Sequence, residues 1–300
     1  MVAEMTVRFT SAEDLLRKIM LWFHSGISSV EPSWREALER FSKVEELVES
    51  EDPEGPIGPP DAILGRITTT VGHGNHISTG RYRGDLTWQA LQMKRDSLKE
   101  VFFEVQKLDS RGIWCDGFSL SCAKVGEAQG WLRVSMTFKE SEVTENPGRF
   151  SGRMTALKSF AESQEINFGH VSYLYSPLLH TAYEDAVNEN PESSIERHPN
   201  LARGYSWVTV ISRDMVESAG GVDAIRTSGV FTDVIEFSSG ACWLQVGDSW
   251  ADFLGMDISS LHRVFSPVLI PGFPIRDDLS GVSSHYPPQL VAFDRPAGAN

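Results

Sequence analysis

The sequence predicts an α+β protein with an antiparallel, locally mixed sheet and helices packed on one side. Two observations lead to this fold class. Residues 205–246 alternate between short segments rich in aromatic and β-branched residues and short helical segments, and they end in a tight turn. Residues 113–138 contain two further alternating segments around a glycine-containing turn. The two halves of the chain are candidates for distant copies of one unit.

The elements of the 205–246 stretch are predicted from its strand and turn residues. Ser212 or Asp214 can cap a short helix, which Gly220 and Gly221 then end. Ser238-Ser239-Gly240 is typical of a hairpin turn. The expected order is strand 205–211, helix 212–216, helical turn 222–227, strand 230–237 and strand 241–246, with all three strands and strand 167–175 in one sheet.

Two amphipathic helices are predicted near the start of the chain. Ser11 with Asp14 resembles a capping box, and a helix from Ser11 is expected to end at Gly26. Pro32 opens a second helix, with Trp34 on its buried face. Both apolar stripes are interpreted as core.

The remaining elements follow from periodicity. We expect strand 67–71, helix 93–108, strands 113–125 and 131–138, helix 152–162, strand 166–175, helix 178–187, a polar loop 189–201 and a helix 258–265 capped by Asp257. The turn Asn146-Pro147-Gly148 divides the chain into α+β halves 1–150 and 151–300, unless these form one continuous domain.

The charge balance limits the classes of partner. The formal net charge is −14, with 18 basic and 23 acidic residues in 1–150 and 9 and 18 in 151–300. This balance disfavours nucleic acid and anionic lipid as main partners, because both require a basic face. It would suit a basic protein partner, although acidity also simply favours solubility.

The sequence predicts a cytoplasmic protein. No apolar run approaches the roughly 20 residues of a membrane span, and the first residues lack the pattern of a signal peptide. The three cysteines Cys115, Cys122 and Cys242 form no paired motif, so we expect them to be reduced and buried.

Motifs for catalysis and cofactor binding are absent from the sequence. There is no nucleophile elbow, phosphate loop or dinucleotide fingerprint. His73 and His76 lie in a glycine loop, but no third ligand stands at zinc spacing. The pair Glu184 and Asp185 is interpreted as solvated. We therefore predict a non-enzymatic protein without cofactor or structural metal.

Four short stretches of the second half resemble one family. They are residues 202–209 (ARGYSWVT), 220–226 (GGVDAIR), 240–245 (GACWLQ) and 264–269 (VFSPVL). Their order is similar to that of the bacterial type VI immunity proteins and related immunity proteins of polymorphic toxin systems. The resemblance covers about residues 150–275, with residues 168–172 as an upstream strand, and it does not extend to residues 1–90.

This resemblance implies a cytoplasmic antidote that binds a cognate secreted antibacterial toxin and performs no chemistry itself. Such toxins are often basic nucleases, toward which an acidic protein would be steered. Two alternatives stay open at this point. One is a small hydrolase-like enzyme that uses His73, His76 and a distant acid, and the other is a non-catalytic adaptor. Neither the toxin nor the oligomeric state follows from the sequence.

The predicted toxin-binding surface combines acidic and aromatic side chains. Trp250 and Phe253 are expected in an exposed loop between a strand and a helix. The surrounding acids are Asp248, Asp252 and Asp257, and the acidic run 45–54 contributes Glu45, Glu46 and Glu49. An aromatic anchor ringed by charges is typical of an interface hot spot. The competing interpretation is that both aromatics fold back onto the core and cover it.

Overall fold

Ten β-strands and eleven α-helices lie in the residues that the computed structural model describes, which are 1–30, 32–43, 56–72, 76–126, 130–139, 141–172 and 181–272. The strands are β1 (Val2–Arg8), β2 (Ile63–Val71), β3 (His76–Arg81), β4 (Leu98–Leu108), β5 (Trp114–Val125), β6 (Trp131–Thr137), β7 (Ile166–Ser172), β8 (Val208–Ile211), β9 (Asp233–Glu236) and β10 (Cys242–Gln245).

The helices complete an α+β fold, as predicted. They are α1 (Ala12–Ser28), α2 (Pro32–Ser42), α3 (Asp85–Lys94), α4 (Ser141–Glu145), α5 (Pro147–Ser163), α6 (Ala182–Ala186), α7 (Pro191–Arg197), α8 (Arg213–Ser218), α9 (Val222–Thr227), α10 (Trp250–Gly255) and α11 (Ile258–Phe265). A short 3-10 turn, Ser266–Val268, follows α11.

The chain divides into two compact units, each of which is discontinuous in sequence. The first unit comprises Met1–Arg8, Val125–Trp131 and Ala161–Asn300, and the second comprises Phe9–Lys124 and Leu132–Phe160. The division into halves 1–150 and 151–300 stays a prediction.

The second unit has the strand order β3-β2-β4-β5-β6. β2 pairs antiparallel with both β3 and β4, and β4 pairs antiparallel with β5. The apolar face of α1 packs against the core of this unit, where the ring centroids of Phe23 and Phe103 are 5.7 Å apart. The Ser11 side chain caps α1 by accepting from the Asp14 backbone N–H, as predicted.

Gly26 does not end α1, in contrast to the prediction. The helix continues through it to Ser28. A Cβ atom at this position would lie 2.4 Å from a methyl carbon of Leu120 on β5. The glycine therefore allows the helix to approach the strand closely, and that packing offsets its low helix propensity.

The first unit has the strand order β1-β7-β8-β10-β9, with antiparallel pairing throughout. The described parts of the predicted strands 167–175, 205–211, 230–237 and 241–246 thus share one sheet, which confirms that expectation, while residues 173–175 lie outside the described ranges. The observed strands are shorter than predicted: β8 begins at Val208 and β9 spans Asp233–Glu236. Helices α9 and α11 have the predicted bounds.

The predicted helix 93–108 was wrong. Only its start is helical, since α3 ends at Lys94, and Leu98–Leu108 forms β4. The apolar residues of this segment fit a helical period as well as a strand. Pairing with β2 on one side and β5 on the other decides for the strand, because it satisfies the backbone and buries Val101, Phe103 and Val105.

Two smaller predictions also need correction. The polar stretch 189–201 contains helix α7, whose N-cap Asn190 accepts a hydrogen bond from the Ser193 backbone N–H at 2.8 Å, with Pro191 in the first turn. Cys115 is exposed, whereas Cys122 and Cys242 are buried as expected. Cys115 lies near the start of β5, where the burial pattern of the strand begins with exposed residues.

Within the described ranges, none of the helices combines the length and apolar character that crossing a bilayer requires.

Candidate functional site

The predicted toxin-binding residues of the first unit lie on α10 and in the turns before α10 and α11. Trp250–Gly255 is helical, so the expectation of a loop at Trp250 and Phe253 was wrong. A glycine makes the entry to this helix possible. Gly247 has φ of +68°, and a Cβ atom there would lie 2.2 Å from the Asp252 Cβ. The capping box of Ser249 and Asp252 supplies the local sequence signal for the helix.

Asp252 closes a capping box at the start of α10. The Ser249 backbone N–H donates to Asp252 Oδ2 at 2.8 Å, and the Asp252 N–H donates to the Ser249 Oγ at 3.3 Å. Side-chain and then backbone hydrogen bonds from Ser249 lower the pKa of the Asp252 carboxyl below its ordinary value. The carboxylate is thus charged, exposed and held in one orientation at neutral pH.

Asp257 plays a similar part for α11, as predicted. Its carboxylate accepts from the Ser260 hydroxyl at 3.0 Å and from the Ser259 backbone N–H at 3.1 Å. Those hydrogen bonds, Ser260 first, lower the pKa of Asp257. Asp248 is exposed as well, so the predicted acids of this segment all reach solvent. We call Asp248, Trp250, Asp252 and Asp257 the acidic surface.

The two aromatic residues of α10 differ in exposure. Their ring centroids are 5.0 Å apart. Phe253 is only 3% exposed and belongs to the core, whereas Trp250 is half-buried. Phe253 therefore covers the core, as in the competing interpretation. Trp250 is the aromatic side chain of the acidic surface that a partner can contact.

Beneath α10 lies a cavity of about 10 Å³, which is room for roughly one water molecule. Its lining residues are His170, Ser172, Thr181, Ala182, Tyr205, Ser206, Trp250 and Phe253. His170 Nδ1 and Ser172 Oγ are 3.0 Å apart. Burial, with a smaller effect from Arg203, lowers the pKa of His170 to about 4, so its ring is neutral at pH 7.

A buried ion cluster adjoins this cavity. Arg203 Nη1 donates to Glu184 at 3.1 Å, and its Nη2 donates to Glu4. The guanidinium also lies 5.0 Å from the ring centroid of Phe168. Glu4 on β1 is opposite His170 on β7, which brings the ring beside the cluster. Two carboxylates and one guanidinium are all but fully buried here.

Glu184 contradicts the expectation of a solvated pair. It is completely buried, and its carboxylate accepts the Thr181 backbone N–H at 3.0 Å in a second capping box. Burial raises the pKa of Glu184, and Arg203 opposes that rise. The sequence does carry a signal for the other acid: Glu4 is the lone charge in the apolar segment VAEMTV, where only a buried partner would explain it.

The family-like stretches meet in the first unit. The Ala202 N–H donates to Val268 O at 2.6 Å, and the Ile270 N–H donates to Ala202 O at 2.9 Å. The Val246 N–H donates to Trp207 O at 2.8 Å. Large side chains from each stretch are buried: Trp207, Ile225, Trp243 and Phe265. These motifs therefore build the core of the unit, and the acidic surface lies outside them.

Other predicted site residues lie elsewhere or outside the described ranges. His76 is exposed at the start of β3, and His73 is outside the described residues, as are Glu45, Glu46 and Glu49. Among the residues with described positions, no group of three or more His, Cys, Asp or Glu side chains is placed to hold a metal ion.

Comparisons with known proteins give structural likenesses. No family model matches the sequence, and no curated protein matches it. The structure is similar to that of the Pseudomonas aeruginosa T6SS protein PA0821, with a TM-score of 0.49 and 12% identity, over 89% of this chain and 76% of that chain. No conclusion on function follows from a likeness at this level.

Proposed function

We propose that this protein is an immunity protein that binds and neutralises a cognate secreted antibacterial toxin in the cytoplasm, without chemistry of its own. The proposal takes its class from the sequence resemblance to type VI and polymorphic-toxin immunity proteins. The single structural observation that supports it is the acidic surface, where the exposed Asp248, Asp252 and Asp257 accompany the half-buried Trp250.

The chemistry of this surface suits a basic protein partner. Three carboxylates within ten residues produce a local negative potential in a protein that already carries a net charge of −14. Such a potential accelerates encounter with a basic toxin and makes the association rate depend on salt. The capped Asp252 and Asp257 are preorganised, so little side-chain entropy is lost when a partner binds them.

Trp250 supplies the apolar contact of the proposed interface. It rests against Phe253, which anchors it to the core, and part of its ring stays accessible. Tryptophan is enriched among interface residues whose truncation costs about 2 kcal/mol or more. The acids around such a residue mainly determine the association rate and the orientation of the partner. The contact of the ring mainly slows dissociation.

The test first asks whether a neighbouring gene encodes a toxin. Binding of that toxin to the full chain is then measured by surface plasmon resonance. We expect Trp250→Ala to weaken binding by about 30-fold, mainly through faster dissociation. Asp248→Asn should slow association about threefold at low salt and less at high salt. Asp248 is the better charge variant, because Asp252 and Asp257 also cap helices.

Glu217→Gln is the matched charge control, since Glu217 is exposed on α8 outside the acidic surface. It should leave both rate constants unchanged. Variants are compared only when their thermal unfolding curves are cooperative. Unchanged affinity of a folded Trp250→Ala protein would remove this surface from the interface. Failure of the parent protein to bind or neutralise the toxin would refute the immunity function itself.

A further inference from the structure

The second unit carries a groove whose charge is opposite to that of the protein as a whole. It lies between α3 and strands β2 and β3 and has a volume of about 240 Å³. The residues that line it are Ile67, Thr69, Ser78, Gly80, Arg81, Arg83, Leu86, Thr87, Ala90, Leu91 and Lys94. We call it the basic groove, because three of these side chains are cationic and none is acidic.

Arg81 has guanidinium nitrogens in the groove that lack an acceptor in the described part of the chain. Its Nε and Nη2 atoms are buried and have no hydrogen-bond partner in the described residues. Burial, followed by the nearby charge of Arg83, lowers the pKa of the Arg81 guanidinium. A buried guanidinium nitrogen without an acceptor is costly, and a carboxylate is the acceptor that fits its planar fork best.

The groove also presents apolar surface. Ile67 and Leu91 are buried in it, whereas Leu86 on α3 is 63% exposed. Met93 on the same helix is 83% exposed. Exposed large apolar side chains beside a concave surface are typical of a protein-interaction site.

An open wall makes the groove accessible to a chain. Gly80 lies on β3, and a Cβ atom there would meet nothing within 4 Å. β3 stands at one end of the strand order of its unit, and most of its residues are exposed. An extended segment can therefore enter along the open side of β3 with its side chains between Gly80 and α3.

We propose that the basic groove binds an extended segment of a partner protein that alternates acidic and apolar side chains. A carboxylate of this segment would accept from the free nitrogens of Arg81, with Arg83 and Lys94 as further cations. An apolar side chain would cover Ile67 and Leu91. The net charge of −14 speaks against a nucleic acid or an anionic membrane as the occupant.

The probe for this proposal is a short fluorescein-labelled peptide that alternates glutamate and leucine, titrated with the full-length protein by fluorescence anisotropy. We expect saturable binding that a peptide alternating lysine and leucine does not show. Arg81→Gln should weaken it about tenfold, because a charge-assisted hydrogen bond is lost. Arg35→Gln, on an exposed arginine of α2 outside the groove, should leave it unchanged.

Gly80→Leu tests the site without removing charge. The added side chain fills open space, so the protein should fold normally while the peptide loses at least tenfold in affinity. This variant decides the question even if Arg81→Gln fails to fold. Absence of binding by the parent protein, equal binding by Gly80→Leu, or preferential binding of a labelled single-stranded oligonucleotide would each overturn the proposal.

The chain's own acidic run is the competing occupant. A variant with Glu45, Glu46 and Glu49 replaced by glutamine should bind the peptide as the parent does. Tighter binding by that variant would show that this run competes for the groove, and the proposal of a partner segment would then be wrong. The basic groove is distinct from the acidic surface. Failure of the groove proposal would therefore leave the toxin-binding proposal unchanged.

Discussion

Each unit of this protein buries an arginine, and the two sites differ in how its charge is balanced. In the second unit, Arg153 donates from Nε to Glu142 at 2.7 Å and from Nη2 at 3.1 Å, and its guanidinium lies 4.3 Å from the Phe118 ring centroid. In the first unit, Arg203 stands between two carboxylates, Glu4 and Glu184.

The sequence distances of the partners differ as well. Glu142 is 11 residues from Arg153, on the helix preceding its own. Glu184 is 19 residues from Arg203, but Glu4 is 199 residues away, at the start of the chain. Arg203 therefore ties the first strand of the protein to the family-like region, whereas Arg153 joins two neighbouring helices. A carboxylate with two neighbouring arginines should respond differently to substitution from an arginine with two neighbouring carboxylates.

The largest effect is expected for Arg203→Met. Two buried carboxylates would lose the guanidinium that lies between them. This should lower the free energy of unfolding by about 3–5 kcal/mol. Urea unfolding followed by circular dichroism measures this loss. A decrease below about 1 kcal/mol would mean that the cluster relaxes into water and that its burial does not control stability.

Arg153→Met should have a smaller effect, about 2–3 kcal/mol, because Glu142 keeps Arg149 at 3.8 Å. Adding Glu142→Leu should recover most of the loss, since it removes the charge left behind. The parallel combination of Arg203→Met with Glu184→Leu should recover less, because Glu4 remains. Equal recovery at both sites in urea unfolding would contradict the contrast drawn between them.

The pH dependence of stability should separate the units through His170. Its pKa is about 4 in the fold and about 6.5 when unfolded, so the unfolded chain takes up the proton first as the pH falls. The neutral ring of His170 therefore contributes its full stabilisation above about pH 6.5. This contribution, at most about 3 kcal/mol, is lost as the pH falls toward 4. The raised pKa of Glu184 has the opposite effect, because its contribution to stability decreases as the pH rises.

The comparison of His170→Asn with the parent protein isolates the histidine. The variant should show a flatter stability profile between pH 4 and 6.5 in urea unfolding. His24→Asn is the matched control, because His24 of the second unit is exposed, and it should leave the profile unchanged. Parallel profiles for His170→Asn and the parent would exclude a neutral buried imidazole.

The smallest effect is expected for Asp116→Asn at the rim of the Arg153 site. Asp116 accepts from Arg149 at 2.9 Å and lies 3.1 Å from Lys139, but it is partly open to solvent. We expect a loss of about 1 kcal/mol or less by thermal unfolding. Burial raises the pKa of Asp116, but the hydrogen bonds from Arg149 and Lys139 outweigh it and lower the pKa. The contribution should therefore vanish only as the pH falls through this lowered value.

Local signals determined much of the fold. The caps at Ser11 and Asp257 and the hairpin turn at Ser238-Ser239-Gly240 predicted their elements, because such hydrogen bonds are made within a few residues. The pairing of β9 with β10 was also predictable, because the turn at Ser238-Ser239-Gly240 fixes their register locally. Of the candidate site, the sequence predicted the three exposed aspartates at 248, 252 and 257.

Tertiary contacts decided the rest. Residues 98–108 carry a pattern compatible with helix and strand, and only pairing with β2 and β5 selects the strand. For Phe253 the sequence left an exposed and a core-covering position open, and the structure leaves the side chain only 3% exposed. The sequence predicted that Glu184 is solvated, but the structure buries it beside Arg203, which also binds Glu4. A charge is buried only where folding brings a partner to it from a distant segment. The sequence alone determines caps, turns and net charge, whereas the chain's folding decides which charges lose water.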